Sequence, residues 1–189
     1  MISRVSVDRA AAVRDALCRL VARHGFHGAS MGAVAREAGV ATGTTYVHYA
    51  SKEDLVYAAY LWVKRELGDA ATAALDPAAP PRARFEHVWL GAYRHLAADP
   101  DRAKFLTQVD SSPYAEIAHA RAMAVDGDPL LAVATSPDMA ALMVPLPPAV
   151  LYDLAIGPIV RITAAERDID PADLPVLVES CWRAVTLTP

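Results

Sequence analysis

The sequence has no proline in its first 76 residues, no asparagine anywhere and only two cysteines among its 189 residues. Each scarcity excludes something. Cys18 and Cys181 stand far apart among apolar neighbours, too few for a disulfide framework and wrongly spaced for a zinc site, so both are expected to be buried, reduced thiols. Long hydrophobic runs are also missing: the longest, about residues 139–151, is interrupted by Pro145, Pro147 and Pro148 and falls short of the roughly 20 residues a membrane span needs. The N-terminal Arg4, Asp8, Arg9 and Arg14 have no apolar stretch behind them, which argues against a secretory signal and for a cytoplasmic protein. No G-x-S-x-G, P-loop, glycine-rich dinucleotide turn or H-E-x-x-H occurs, so nothing places a nucleophile, a phosphate or a metal; an enzyme is not expected, and no cofactor. His24 and His27 lack carboxylate or cysteine partners nearby, and no metal is expected there. The absence of asparagine says more about genome composition than about function.

What is present is unevenly distributed. The net charge of −4 speaks at first against a nucleic-acid partner, yet residues 1–65 carry 9 Lys and Arg against 5 Asp and Glu, and the remainder 9 against 17. The chain therefore joins a segment of +4 to one of −8. All 14 prolines lie at or after Pro77, and the D-P-A-A-P-P run at 76–81 reads as a connector that cannot continue a helix.

Apolar spacing is helical almost throughout. Val13, Ala16, Leu17, Leu20, Val21 and His24 mark one face of a helix expected from about Asp8, as N-cap, to Gly25. Short helices are expected over 31–38, after Ser30 as cap, and over about 42–49. Ser51 then opens a long helix through about Leu75. Residues 82–97 read as another helix, and two further segments, about 147–166 and 171–187, repeat the offsets of the first. No period-two alternation long enough for a sheet occurs, so the fold class is all-α.

Residues 30–49, S-M-G-A-V-A-R-E-A-G-V-A-T-G-T-T-Y-V-H-Y, read as a helix, a tight turn at Gly39 and a second helix: a helix-turn-helix. The second helix is rich in short hydrogen-bonding groups where a purely structural helix would present charged solvating side chains, and such a surface suits a major groove. The run A-x-E-A-G-V-x-x-G-T-x-Y-x-H-Y-x-S-K-E-x-L from Ala35 to Leu55 resembles the TetR/AcrR family of bacterial transcriptional regulators. With the H-G-F-H-G-A-S-M junction at 24–31 the resemblance covers roughly the first 55 residues strongly. It implies a three-helix DNA-binding domain over 1–51 and a helical effector-binding and dimerisation domain over 52–189, linked by the helix at about 52–75.

Carried onto matching positions, the resemblance assigns Ser30 to a phosphate, Thr42, Gly43 and Thr44 to base edges, and Tyr46, His48 and Lys52 to phosphates. Thr45 and Tyr49, where the family more often has Leu and Phe, fall on the inward side. The aromatic and methionine-rich middle of the chain offers Trp89, Tyr93, Phe105, Gln108, Tyr114, His119, Met123, Met139 and Met143 as candidates to line a pocket for a mostly apolar small molecule, although such residues are also what an ordinary core is made of. The stripes Leu151, Leu154, Ile159 and Ile162, and Leu174, Val178, Trp182 and Val185, are the candidates for a homodimer interface. The expected function is a ligand-responsive regulator that binds a palindromic operator as a homodimer and is released by an effector. The alternative is an all-α small-molecule-binding protein whose helix-turn-helix no longer reads DNA.

Overall fold

The computed structural model describes residues 4–187, with side chains from residue 9 onward. Twelve α-helices account for most of that span. Two compact units emerge, one formed by residues up to Lys64 together with Asp101–Ala124, the other by Arg65–Pro100 together with the residues from Val125 onward.

The first unit begins with α1, Arg4–Gly28, an alanine-rich helix that starts ahead of Asp8 rather than on it; the side chain of Asp8 lies outside the described residues. Its regular part is broken at Gly25, where φ is +64° and ψ −178°, a backbone that glycine enters without a Cβ penalty. Then come α2, Met31–Glu37, and α3, Thr42–His48, both packed on α1. The helix α4, Lys52–Thr72, gives its residues through Lys64 to this unit, and α6, Pro100–Asp110, and α7, Ala115–Met123, complete it. The core joins Val13, Leu17, Leu20 and Val21 of α1 to Val34 and Ala35 of α2 and to Leu55, Val56 and Ala59 of α4, all buried. Val13, Leu17, Leu20 and Val21 are positions the helical spacing marks as inward, whereas His24, at the end of that stripe, is exposed; Cys18 is buried and in no disulfide, as is Cys181 in the second unit.

The second unit is built around α5, Pro81–Ala98, with α10, Pro148–Ala155, α11, Gly157–Ala164, and α12, Leu174–Val185, grouped about it; α8, Pro129–Ala134, and α9, Pro137–Ala140, are single short pieces. Prolines punctuate it. Pro81, Pro129, Pro137 and Pro148 each open a helix at its first position, where the missing N–H costs nothing. Pro158 explains one correction: the single helix expected over 147–166 is two, parted at Ile156–Gly157, because Pro158 has no N–H to give the carbonyl four residues back. The long helix likewise stops at Thr72 rather than Leu75, turning at Ala74 with φ +56° ahead of Pro77. The last helix ends at Val185, where the chain becomes extended and ties back: Val144 N–H donates to Val185 O at 3.0 Å and Leu187 N–H to Leu142 O at 2.8 Å.

Ile159, Val178, Trp182 and Val185 are covered within this unit, with Trp182 edge-on to Phe85 at 5.2 Å. These four members of the stripes expected to meet a second copy are therefore the unit's own core, since a covered side chain has no area left to give a partner. Leu154 remains exposed, and Leu151, Ile162 and Leu174 are half-buried. The buried Arg84 of α5 ties down α9: one guanidinium nitrogen donates to Ser136 Oγ at 3.3 Å and another to the Asp138 carboxylate, whose pKa it holds below the usual range.

Candidate nucleic-acid interface

The helix-turn-helix is fixed from both ends. Ser30 caps α2, its Oγ accepting from Ala33 N–H at 3.2 Å, as the sequence pattern requires. At the other end Gly39 takes φ +66°, its N–H donates to Arg36 O at 3.2 Å, and Val40 N–H reaches back to Ala35 O at 2.9 Å. That pair of bonds is a Schellman closure, and it sets the angle at which α3 leaves α2. On the inner side of the pair, the Glu37 carboxylate accepts from Arg19 Nε at 2.9 Å and Arg23 Nη2 at 2.7 Å, so α2 is clasped to α1 and the Glu37 pKa is pulled down by the two guanidiniums.

Thr45 and Tyr49 hold α3 against the unit, both on the inward side where the resemblance puts them. Thr45 is fully buried, its hydroxyl returning to Thr42 O at 2.7 Å. Tyr49 is buried too; its hydroxyl accepts from Arg14 Nη1 at 2.9 Å and donates to Ala10 O at 3.1 Å, and burial pushes its pKa up. With those two residues inward, Thr42, Gly43, Tyr46 and Val47 face outward and are exposed, while Thr44 and His48 are half-exposed at the flanks. Tyr46 is 54% exposed and is no core aromatic.

Lys52 opens α4 beside Ser51, whose Oγ accepts from Asp54 N–H at 3.0 Å. Its ammonium donates to the carbonyl of Phe26, just past the break in α1, and lies over the Phe26 ring at 6.0 Å. An ammonium carries three hydrogens, so this bond leaves two that can be donated elsewhere. Sequence reasoning does not supply the Phe26 partner, which is 26 residues away in the chain.

Nor does it supply the residues by which α6 and α7 hold the rest of the unit. Arg102 Nη2 donates to Asp15 Oδ1 at 2.8 Å, and two guanidiniums lie against the Trp62 ring, Arg102 at 4.3 Å and Arg14 at 5.3 Å. Tyr114 packs on Phe26 at 4.9 Å and edge-on to Tyr57 at 6.1 Å, and Arg121 covers the Tyr57 ring at 4.3 Å. Arg14 thus touches both Tyr49, at the end of α3, and Trp62.

The residues offered as pocket-lining are divided in kind. Trp89, Phe105 and Met139 are buried, Tyr93 and Tyr114 half-buried, Gln108 and Met123 exposed. Trp89, Tyr93, Met139 and Met143 fall in the second unit, where Trp89 stacks on Tyr93 at 6.1 Å; Phe105, Gln108, Tyr114, His119 and Met123 fall in the first. A shallow recess of about 330 Å³ in the second unit is lined by Ile162, Arg167, Asp168, Ile169, Asp173, Val176 and Leu177. Among the described residues no helix is long and apolar enough to cross a membrane.

Comparison with known proteins agrees with this geometry. Residues 13–59 match the family described as bacterial regulatory proteins, tetR family. A putative tetR family transcription regulator from Shewanella sp. PV-4 is 25% identical, with a TM-score of 0.79 over 95% of this chain and 99% of its own. A TetR family transcription regulator from Marinobacter aquaeolei VT8, 23% identical, shares the fold at a TM-score of 0.80 over 97% of this chain and 98% of that one. NalD of Pseudomonas aeruginosa, titled the secondary repressor of the MexAB-OprM multidrug efflux pump, is 19% identical and superimposes at 0.63 over 99% and 100%. No curated protein matches the chain. A helix-turn-helix within the matched segment, carried on an all-helical fold shared over nearly the full length, makes this chain similar to the TetR-family transcriptional regulators.

Proposed function

We propose that this chain is a TetR-family transcriptional regulator, a repressor that binds a palindromic operator as a homodimer and leaves it when a small, mostly apolar effector binds. The observation that carries the DNA-reading part is the outward face of α3, where Thr42, Gly43, Tyr46 and Val47 stand exposed on a helix pinned from behind by Thr45 and Tyr49. In this reading Thr42, Gly43 and Thr44 meet base edges, and Ser30, Tyr46, His48 and Lys52 meet phosphates. Residues 1–51 carry the DNA-binding function and residues 52–189 the effector and dimer functions, in the bacterial cytoplasm where the operator is.

A helix as short as α3 reads few base pairs, so useful selectivity calls for two copies spaced about 34 Å apart on the duplex. Outward apolar side chains on α10 and α12 support a pairing surface, Val176 at 64% exposure being the most open of them. The repressor sign is supported by the likeness to NalD, a secondary repressor. The effector reading is supported by the aromatic and methionine content around Trp89, Tyr93, Phe105, Gln108, Tyr114, Met123 and Met139. Taking the protein from 99:1 competent to 1:99 would require about 5.5 kcal/mol of differential affinity from the effector.

The test is fluorescence anisotropy with duplexes from the region upstream of the chain's own gene, at two salt concentrations, alongside sedimentation of the free protein. Sequence-selective, salt-sensitive binding by a dimer is the expected result. Ligand binding by a protein that retains no DNA in either salt would instead favour a small-molecule-binding protein with a silent helix-turn-helix.

A further inference from the structure

The most exposed large apolar side chain among the described residues is Val47, at 80%. It sits two residues from the fully buried Thr45, which at 3.6 residues per turn places it about 160° around α3 from the side chain that anchors the helix. Valine is a poorer helix former than alanine, leucine or lysine, and here it buries almost nothing in exchange. One turn earlier on the same side is Gly43. A Cβ built there would meet nothing within 4 Å, and the backbone is ordinary right-handed helix. Neither packing nor conformation demands a glycine, which weakens a helix relative to alanine. The centre of the outward face is thus an apolar knob beside an empty notch, in a helix whose other outward groups are hydroxyls, and the fold itself has use for neither.

Resting on the DNA-binding reading above, we infer that Val47 reads the 5-methyl group of a thymine and that Gly43 is the gap through which the base edge approaches it. The 5-methyl is the one apolar feature that a base pair displays in the major groove, and it distinguishes thymine from every other base there. A protein partner is a poor match: specific protein interfaces run to at least about 1,000 Å² with an apolar centre, and one valine flanked by glycine and threonine is far from that. The charge around it also suits DNA, since residues 1–65 carry a surplus of +4.

The experiment uses the full-length chain and duplexes that it selects from a random-sequence pool. Thymines of the selected site are replaced one at a time by deoxyuridine, which keeps every hydrogen-bonding group and removes only the methyl. At one thymine per half-site the wild-type chain should lose about fourfold in affinity, the worth of one buried methyl-sized group, and roughly fifteenfold when both halves are replaced. Val47→Ala should bind the thymine duplex more weakly but lose nothing further at that same position. Gly43→Ala should weaken binding without lowering the Tm, because the free protein has room for the methyl. If deoxyuridine affects Val47→Ala and wild type equally at every thymine, the inference is overturned while the DNA-binding reading stands. If the wild-type chain enriches no sequence from the pool, the DNA-binding reading falls and the inference with it.

Discussion

Thr44, Tyr46 and Lys52 would bring a hydroxyl, a phenol and an ammonium to the proposed DNA contact, and truncating each should have a different signature. Tyr46→Phe and Lys52→Ala are expected to weaken binding to all sequences, and Lys52→Ala to reduce the slope of log K against log salt by about 1. Thr44→Ala should alter preference at a single base position instead. Lys52→Ala should also lower the Tm, because the ammonium caps the Phe26 carbonyl. A lowered Tm with an unchanged salt slope would make Lys52 a structural residue only. Legibility differed sharply between neighbouring residues of α3. Thr45 and Tyr49 are placed inward by the family resemblance, which aligns them with positions where Leu and Phe are commoner. Val47 has no such guide, because a lone apolar residue in a polar helix carries no periodic signal. The Lys52–Phe26 and Arg102–Trp62 contacts were not legible at all, because they join residues whose proximity is decided by tertiary packing.

At the level of elements, the clasp of α2 on α1 makes stability depend on pH in a predictable direction. Arg19 and Arg23 lower the Glu37 pKa in the folded chain. A depressed carboxylate contributes stability that is fully present above its unfolded pKa, about 4.3, and is lost as the pH falls through the lower folded value. Glu37→Gln should therefore cost stability at pH 7, by up to about 1 kcal/mol for pairs this exposed, and should flatten the loss that wild type shows below pH 4; urea titrations at pH 7 and pH 3 measure both. Equal pH slopes in the two proteins would mean that the clasp contributes nothing. The crossing of α4 and α5 makes a second, separate prediction. A Cβ on Gly91 would lie 2.9 Å from Ala71 Cα and Ala71 O, backbone that cannot move aside, so Gly91→Ala should destabilise the second unit by about 1–3 kcal/mol. Such crossings are invisible in sequence, whereas the Gly25 and Gly39 breaks were readable because each ends a periodic run. Proline is legible in the sequence as the connector at 76–81 that cannot continue a helix, but not at Pro158, where apolar spacing continues straight through the interruption.

For the whole molecule, the division of charge and of proline marked the approach to the border between units but not its course. The first unit takes back residues 101–124 from beyond the proline connector, and no compositional change announces that return. If the homodimer forms through the outward faces of α10 and α12, Val176→Glu should sediment as a monomer with unchanged helical content and bind operator far more weakly. A wild-type chain that is already monomeric at micromolar concentration would remove the pairing proposal. The discontinuity of the first unit has a further consequence, in time rather than space. The helix-turn-helix is synthesised by residue 64, but Asp15, Trp62, Tyr57 and Phe26 wait for Arg102, Tyr114 and Arg121. The last of those arrives about 57 residues later, which at 5–20 residues per second is a delay of roughly 3–11 s. During that interval the nascent reader is unsupported on its rear side, and translation arrested between the two segments would release a DNA-binding fragment without the helices that hold it.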